Sequence, residues 1–246
     1  MRRVWYLLWV ALLLAMVLAP WAAARASDRA AQRASLVAEV DREIAGMPPS
    51  AGVECLSAPV LRALREVPRH AFVPVAYADE AYQDRPLPIG HGQTISQPTI
   101  VALMTELLAV RPGDRVLELG TGSGYQAAVL AALGAEVFSI EIVPALGERA
   151  RAVLDREGYG GVHTRIGDGY FGWPGQEPFD AIVVTAAGDH IPPPLVRQLK
   201  PGGRMVLPVG GRYLTQHLVL VERAADGSVS TRELLPVRFV PLTGEH

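Results

Sequence analysis

The residues best suited to binding chemistry follow an apolar run near the middle of the chain. Val116–Leu119 has the composition of a buried strand. Gly120, Gly122 and Gly124 come directly after it, before a helical pattern opens at Tyr125. Glycine lets the backbone turn sharply and lets a ligand approach main-chain atoms without a Cβ in the way. Because open α/β sheets bind ligands at the carboxyl ends of their strands, this turn predicts a ligand site.

The spacing of the glycines distinguishes between cofactors. A dinucleotide-binding turn reads G-x-G-x-x-G/A, and here Tyr125 stands where the last small residue would fall. Glu118, just before the turn, would repel a phosphate. The same carboxylate suits the cationic methionine end of S-adenosylmethionine, by aligning neighbouring groups or waters. The alternative is a tight turn without a ligand, but the order of strand, glycines and helix favours S-adenosylmethionine.

Two later loops carry polar side chains that suit the rest of this cofactor. Glu141 closes the second strand, where an acidic side chain can accept both ribose hydroxyls. Gly167, Asp168 and Gly169 follow the third strand. Asp168 between two glycines can reach an adenine amino group, although a simple turn also explains this sequence. We predict that all three loops meet at one sheet edge.

A regular alternation of strands and helices must position these loops. The candidate strands are short β-rich runs, namely Val116–Leu119, Glu136–Glu141, Val162–Ile166, Ala181–Thr185, Arg204–Val209, His217–Val221 and Leu234–Val240. The helical patterns between them cover Tyr125–Leu133, Ala145–Glu157 and Leu195–Leu199. This alternation predicts a parallel sheet with helices on both faces. The last two strands flank the turn Ala225–Ser228 without a helix, so we expect them to pair antiparallel.

The region before the sheet is predicted to form a cap of helices and loops. Helical patterns cover Ser27–Arg42, Ala58–Val67 and Thr99–Val110, with Pro-rich loops between the second and the third. We therefore divide residues 27–246 into a cap, 27–110, and a core, 111–246. With 246 residues, the chain has room for one α/β domain and a short additional segment.

The composition excludes several other classes of protein. The chain has 23 basic and 25 acidic residues and a net charge of −2, which gives no indication of a nucleic-acid partner. Its single cysteine, Cys55, cannot form an internal disulfide. Cys55 also lacks Cys or His neighbours at the spacing of metal ligands, so we expect no zinc site.

The N-terminus has the layout of a secretory signal peptide. Arg2 and Arg3 precede the uncharged run Val4–Ala24, and Ala24–Ala26 offers small residues for cleavage before Ser27. Two alternatives stay open. A retained anchor is one, because roughly 20 helical residues cross a bilayer. A mistranslated upstream start is the other.

The charges around the apolar run do not define its orientation. Arg25, Arg29 and Arg33 follow it, whereas Arg2, Arg3 and the terminal amine precede it. Under the positive-inside rule, this balance does not clearly send the domain outward. We favour export or periplasmic exposure over an inner-membrane anchor whose domain faces the cytosol. Only an uncleaved N-terminal segment would associate the protein with a membrane.

Several motifs resemble the protein-L-isoaspartate O-methyltransferase family. The most specific is Leu87–Pro98, which reads LPIGHGQTISQP and precedes the first strand, where ordinary methyltransferases have no such segment. The other matching segments are Gly120–Gln126, Gly167–Gly169, Phe179–Ala187, Leu199–Arg204, Leu207–Gly210 and Arg238–Leu242. The resemblance covers residues 32–243, nearly all of the chain after the leader.

This resemblance implies a Rossmann-like class I methyltransferase fold, with a mostly parallel doubly wound sheet and an antiparallel C-terminal strand. It implies methyl transfer from S-adenosylmethionine to the free α-carboxylate of L-isoaspartyl residues in damaged proteins. In the family pattern, Ser96 lies at the acceptor. Thr94, Gln97 and Thr99 cover the cofactor, and Thr243 can also contact it. The implied partners are isoaspartyl peptides and proteins, and we expect a monomer.

The residues agree with this chemistry. A carboxylate has a pKa near 4 and is already ionised at neutral pH, so the reaction needs no general base. The enzyme must align the reactants and exclude water, and proximity alone can supply roughly 7–11 kcal/mol. Ser96 then acts by hydrogen bonding to the carboxylate rather than as a nucleophile.

Two other functions stay open at this point. One is a methyltransferase of the same fold that acts on another carboxylate or on a small molecule. The other is a secreted binding protein that kept the pocket and lost catalysis, against which the intact Ser96, Glu118, Glu141 and Asp168 argue. The leader is a departure from the resembled family, which is usually cytoplasmic, and it puts in doubt where the protein works.

Overall fold

The computed structural model describes residues 27–211 and 214–244. The predicted leader, residues 1–26, lies outside the described residues. The helices are α1 (27–45), α2 (Ala58–Glu66), α3 (Pro98–Leu108), α4 (Tyr125–Ala132), α5 (Pro144–Arg156) and α6 (Pro193–Gln198). The strands are β1 (Leu87–Gly90), β2 (Gln93–Ile95), β3 (Arg115–Leu119), β4 (Glu136–Glu141), β5 (His163–Ile166), β6 (Phe179–Val184), β7 (Leu199–Val209), β8 (Gln216–Arg223) and β9 (Val229–Val237).

Seven strands form the central sheet in the order β5-β4-β3-β6-β7-β8-β9. The pairs from β5 to β7 are parallel, whereas β8 is antiparallel to both β7 and β9. The predicted mostly parallel sheet and the antiparallel pairing of the last two strands are therefore confirmed.

The strand order creates a crevice at the carboxyl end of β3. From β3 the chain continues to β4 and β5 on one side, and it returns to β6 and β7 on the other. The helix after β3, α4, packs on one face of the sheet, and the helix after β6, α6, packs on the other. Such a reversal of strand order is where open α/β sheets bind ligands, and the glycine turn lies directly at it.

The predicted cap shares its hydrophobic core with the sheet. Leu36 and Ile44 of α1 pack in one cluster with Leu103 of α3, Leu130 of α4 and Val183 of β6. A second cluster on the opposite face joins Leu195 of α6 to apolar residues of β3, β4, β6 and β7. Burial on both faces explains why the inner strands β3, β4 and β6 are mostly apolar, whereas the edge strand β5 is more polar and more exposed.

A short hairpin that we did not predict precedes α3. β1 and β2 pair antiparallel, and the residues between them, His91 and Gly92, both have positive φ, at 54° and 71°. Leu87 and Ile89 of β1 are fully buried, which anchors the hairpin against the core. The hairpin places Thr94 and Ser96 at the carboxyl edge of the main sheet, near Gly120 and Gly122.

Within the described ranges, no helix combines the length and the apolar character that crossing a bilayer requires.

Candidate functional site

A pocket lies at the carboxyl edge of the sheet, where the glycine turn, the end of β4 and the C-terminal segment meet. We call it the glycine-turn pocket. Its lining residues are Gln93, Thr94, Leu119, Gly120, Gly122, Ile140, Glu141, Ile142, Val143, Gly169, Thr185, Ala186, Val240, Pro241, Leu242 and Thr243. The structure therefore brings Thr94, Gly120, Gly122, Glu141, Gly169 and Thr243, all predicted to bind the cofactor, to one pocket.

The turn after β3 requires glycine for two different reasons. Gly120 has a φ of +91°, and a Cβ there would lie 2.4 Å from Thr185 Oγ1. Gly122 lines the pocket with a φ of +55°. Gly124 has a φ of +87° at the start of α4, where a Cβ would press on Leu154 at 3.2 Å. The first two glycines thus open the pocket, whereas the structure places Gly124 in the packing of α4 and outside the pocket lining.

Glu141 fixes the glycine turn to the end of β4. Its Oε2 accepts a hydrogen bond from the Gly122 N–H at 2.7 Å, and its Oε1 accepts one from the Val143 N–H at 2.9 Å. The side chain is 5% exposed and lines the pocket. Each carboxylate oxygen has a second lone pair that can accept a hydroxyl proton, as the ribose prediction requires.

Glu118 is connected to the same turn through hydrogen bonds of Ser139. Its carboxyl group is fully buried, and Oε2 accepts a hydrogen bond from Ser139 Oγ. Ser139 Oγ lies 2.5 Å from Thr121 Oγ1, within the glycine turn. Oε1 has no hydrogen-bond partner among the described residues. Glu118 is not part of the pocket lining, so the structure does not place it in direct contact with the predicted cofactor site.

The pKa of Glu118 is raised to about 8. The main cause is burial, which removes water from the charged form, and the nearby carboxylate of Glu141 raises the pKa further. The hydrogen bond from Ser139 opposes this shift. At neutral pH the folded ligand-free protein therefore keeps a proton on Glu118.

This proton makes the stability of the ligand-free protein depend on pH. The unfolded chain loses the proton near pH 4.5 and the folded chain near pH 8, so unfolding is favoured increasingly as pH rises between these values. Glu118→Gln cannot titrate and resembles the protonated side chain. We expect the variant to be more stable than wild type by about 5 kcal/mol at pH 9, with the difference vanishing below pH 4.5. Urea unfolding from pH 4 to 9 measures this, and parallel stability curves would contradict it.

The loop after β5 contributes its last residue to the pocket. Gly169 lines it, and a Cβ there would lie 2.9 Å from Leu119 Cγ. Asp168 Oδ1 accepts a hydrogen bond from the Tyr170 N–H at 2.9 Å, and the Gly167 N–H donates to the Glu141 carbonyl at 2.9 Å. Gly167 and Asp168 flank the pocket and are not among its lining residues.

Thr99 and Gln97 are held by Asp84, a residue that we did not predict. Asp84 accepts hydrogen bonds from the Thr99 N–H at 2.9 Å, the Thr99 hydroxyl at 2.7 Å and Gln97 Nε2 at 2.9 Å. Asp84 thereby caps the N-terminus of α3 from a distant loop. Thr99 is buried and lies outside the glycine-turn pocket, so the structure does not place it where its predicted contact with the cofactor requires.

Ser96 lies beside a second cavity of about 460 Å³. We call it the Ser96 cleft. Its lining residues are Pro86, Thr94, Ser96, Gln97, Ile100, Thr185, Pro236, Val237, Arg238, Phe239 and Val240. Thr94 and Thr185 line this cleft and the glycine-turn pocket alike. A smaller space between the two cavities is bordered by Ser96, Gly120 and Gly122.

Thr185 is the central residue that sequence reasoning missed. It follows β6 and lines all three spaces. Its Oγ1 lies 2.9 Å from the Leu119 carbonyl oxygen and 2.8 Å from that of Gly120, so the hydroxyl proton can be donated to either. The available signal was its position directly after the strand that pairs with β3. The segment 240–242 was also missed, because we predicted a strand up to Val240 whereas β9 ends at Val237.

The chemistry of the glycine-turn pocket fits S-adenosylmethionine. Gly120, Gly122 and Gly169 leave space that a Cβ would fill or strain. Glu141 offers a carboxylate at the edge, and none of the described residues that line the pocket carries a cationic side chain that would attract a phosphate. The set of donors and acceptors therefore suits a cationic nucleoside better than a dinucleotide.

A protein-family model matches most of the chain. Residues 52–246 match the model described as protein-L-isoaspartate(D-aspartate) O-methyltransferase. The matched region contains every element from α2 to β9.

Curated relatives lead to the same family. Protein-L-isoaspartate O-methyltransferase 1 of Cupriavidus necator is 59% identical over 213 residues, which are 85% of this chain and 82% of the relative. Protein-L-isoaspartate O-methyltransferase 2 of a Polaromonas species is 60% identical over 194 residues, which are 79% of this chain and 92% of the relative.

Solved structures agree with the sequence relatives. A protein-L-isoaspartate O-methyltransferase superposes with a TM-score of 0.74 at 31% identity, covering 86% of this chain and 66% of the other. A β-aspartate methyltransferase from Plasmodium falciparum, solved in complex with S-adenosyl-L-homocysteine, gives a TM-score of 0.73 at 25% identity, with coverages of 86% and 98%. The chain belongs to the protein-L-isoaspartate(D-aspartate) O-methyltransferase family.

Proposed function

We propose that this protein transfers the methyl group of S-adenosylmethionine to the α-carboxylate of L-isoaspartyl residues in damaged proteins. The glycine-turn pocket holds the cofactor, and the Ser96 cleft receives the isoaspartyl residue. The observation that carries this assignment is the shared lining of the two cavities by Thr94 and Thr185. A methyl donor in one cavity and a carboxylate in the other would meet at this shared wall.

The reaction makes modest demands on the side chains. When bound, S-adenosylmethionine supplies an electrophilic methyl group next to a positively charged sulfur. The acceptor carboxylate is already ionised at neutral pH, so no residue has to remove a proton from it. The protein contributes by orienting the acceptor and excluding water. Ser96 donates a hydrogen bond to the carboxylate, while Thr94 and Thr185 form the wall at which the two cavities meet.

Ser96→Ala tests the orienting role of the hydroxyl group. We expect turnover on an isoaspartyl peptide to fall by about 5- to 150-fold, which corresponds to about 1–3 kcal/mol for one lost positioning hydrogen bond. The affinity for S-adenosylhomocysteine should stay within about twofold of wild type, since Ser96 does not line the glycine-turn pocket. Peptide methylation and calorimetry measure the two quantities.

Ser228→Ala is the matched control for this substitution. Ser228 lies in the exposed turn between β8 and β9, where its hydroxyl donates a hydrogen bond to Asp226 at 2.7 Å. Its loss should leave turnover unchanged. If Ser96→Ala also leaves turnover unchanged, Ser96 has no part in acceptor binding.

We further propose that the N-terminal segment exports the protein, so that the domain lies outside the cytosol. The proposal is supported by the two arginines before the apolar run and by the small residues Ala24 and Ala26, in the A-x-A pattern, at its end. Alkaline phosphatase fused after residue 60 reports the side of the membrane, because the enzyme is active only outside. Activity together with a shortened, soluble product is expected. An inactive fusion in the membrane fraction would instead favour a cytosol-facing anchor.

A further inference from the structure

The Ser96 cleft carries a positive charge to which the mechanism above assigns no role. Its lining is otherwise uncharged, with apolar surface from residues such as Pro86, Ile100 and Phe239. Arg238 is the one charged residue among the lining residues of the cleft, and it is exposed. It forms no ion pair or side-chain hydrogen bond with residues 27–211 or 214–244.

Another arginine near the cleft is already neutralised. Arg85 precedes the lining residue Pro86, but its guanidinium forms an ion pair with Glu80 and donates to Gln83 Oε1 at 2.8 Å. Among the described residues, no carboxylate lines the cleft. Within the same described lining, Arg238 is therefore the cation that an entering peptide encounters.

The backbone around Arg238 is held in a defined position. The next residue, Phe239, donates its N–H to Gln216 Oε1 at 2.6 Å, and its carbonyl accepts from Gln216 Nε2 at 3.2 Å. Gln216 is itself buried. One residue after Phe239, the Val240 carbonyl accepts a hydrogen bond from the Ala187 N–H at 2.8 Å. A cation on a fixed rim can discriminate between peptides, because little ordering is needed when the peptide binds.

We infer that Arg238 determines which isoaspartyl peptides bind, by favouring those with an acidic side chain next to the isoaspartyl residue. The inference rests on the proposed function and specifies its substrate class. The acidic neighbour, rather than the α-carboxylate to be methylated, is the partner of Arg238. The α-carboxylate already has Ser96 as its proposed hydrogen-bond donor, so an acidic neighbour is the remaining anion that Arg238 can pair with.

The test compares three isoaspartyl peptides that differ only in the flanking residue, which is Glu, Ala or Lys. It is run in two series, with the variable residue before or after the isoaspartyl residue. Full-length wild-type protein should show a kcat/KM about 3- to 10-fold higher for the Glu peptide than for the Lys peptide at low salt in at least one series. Arg238→Gln should abolish the preference, and Arg238→Glu should reverse it. The preference should shrink at 0.5 M salt, where charges are screened.

Arg197→Glu provides the matched control. Arg197 is exposed on α6, outside the cleft, and the substitution changes the net charge by the same amount. It should keep the wild-type preference. If the Ala peptide is methylated but the order of the three peptides is the same in wild type and Arg238→Glu, the inference is wrong. An equal loss on all three peptides would also reject it, because Arg238 would then bind the common carboxylate. No methylation of any isoaspartyl peptide by wild type would instead reject the proposed function.

Discussion

Gly120→Ala is expected to lower the affinity for S-adenosylhomocysteine by about 100-fold or more, which corresponds to about 3 kcal/mol of binding free energy. The new Cβ would lie 2.4 Å from Thr185 Oγ1, well inside contact distance. Thr185 cannot simply rotate away, because its hydroxyl lies within hydrogen-bond distance of the Leu119 and Gly120 carbonyl oxygens. The turn must therefore move, and it forms the floor of the glycine-turn pocket. Calorimetric titration measures the affinity.

Gly158→Ala separates this steric effect from backbone strain. Gly158 has a φ of +88°, close to the +91° of Gly120, yet a Cβ built there meets no atom of the described residues within 4 Å, its chain neighbours aside. Both substitutions impose a left-handed conformation on alanine, at about 1–2 kcal/mol. Gly158→Ala should lose this much stability and keep its affinity for S-adenosylhomocysteine. Equal affinities in the two variants would show that the contact with Thr185 does not limit binding.

Glu141→Ala is expected to reduce the affinity for S-adenosylhomocysteine by about 30- to 1000-fold. The reason is the loss of two charge-assisted hydrogen bonds from the ribose hydroxyls, which are worth about 2–4 kcal/mol together. The substitution leaves the N–H groups of Gly122 and Val143 without their acceptor and removes the carboxylate from the pocket edge. Glu141→Gln keeps one acceptor oxygen, and its affinity should fall between those of wild type and Glu141→Ala.

Glu136→Gln is the control at the other end of β4. Glu136 also carries a carboxylate, but it is partly exposed and pairs with Arg115 at 2.8 Å, away from the pocket lining. Its substitution should change the affinity by less than twofold. Affinity for S-adenosylhomocysteine within about threefold of wild type in Glu141→Ala would mean that Glu141 only shapes the loop.

The sequence predicts best where local patterns and tertiary structure agree. The run 137–140 is mostly apolar and buried on both faces of the sheet, and the bounds of β4, Glu136–Glu141, match the prediction. The glycine turn is equally recognisable, because positive φ values restrict Gly120, Gly122 and Gly124 to the same residue type. These features depend on residues that are close together in the chain, so they can be predicted from a single sequence.

The missed features depend on contacts between distant segments. The hairpin β1–β2 has strands of only four and three residues, too short for an alternating pattern, and its turn has His91 where glycine is usual. Thr185 becomes part of the site because β6 pairs with β3. Thr99 follows a recognisable motif, but its hydroxyl group donates a hydrogen bond to Asp84, which lies 15 residues earlier in the chain. No periodicity in the sequence indicates such a partner.

Methylation of a matched pair of peptides tests the central claim most directly. The two peptides have the same sequence and differ only in whether one aspartate is linked through its side chain or through its main chain. The purified protein with labelled S-adenosylmethionine should methylate the isoaspartyl peptide and leave the normal aspartyl peptide unlabelled. Equal labelling of both peptides, or labelling of neither, would contradict the assignment of the Ser96 cleft to isoaspartyl repair.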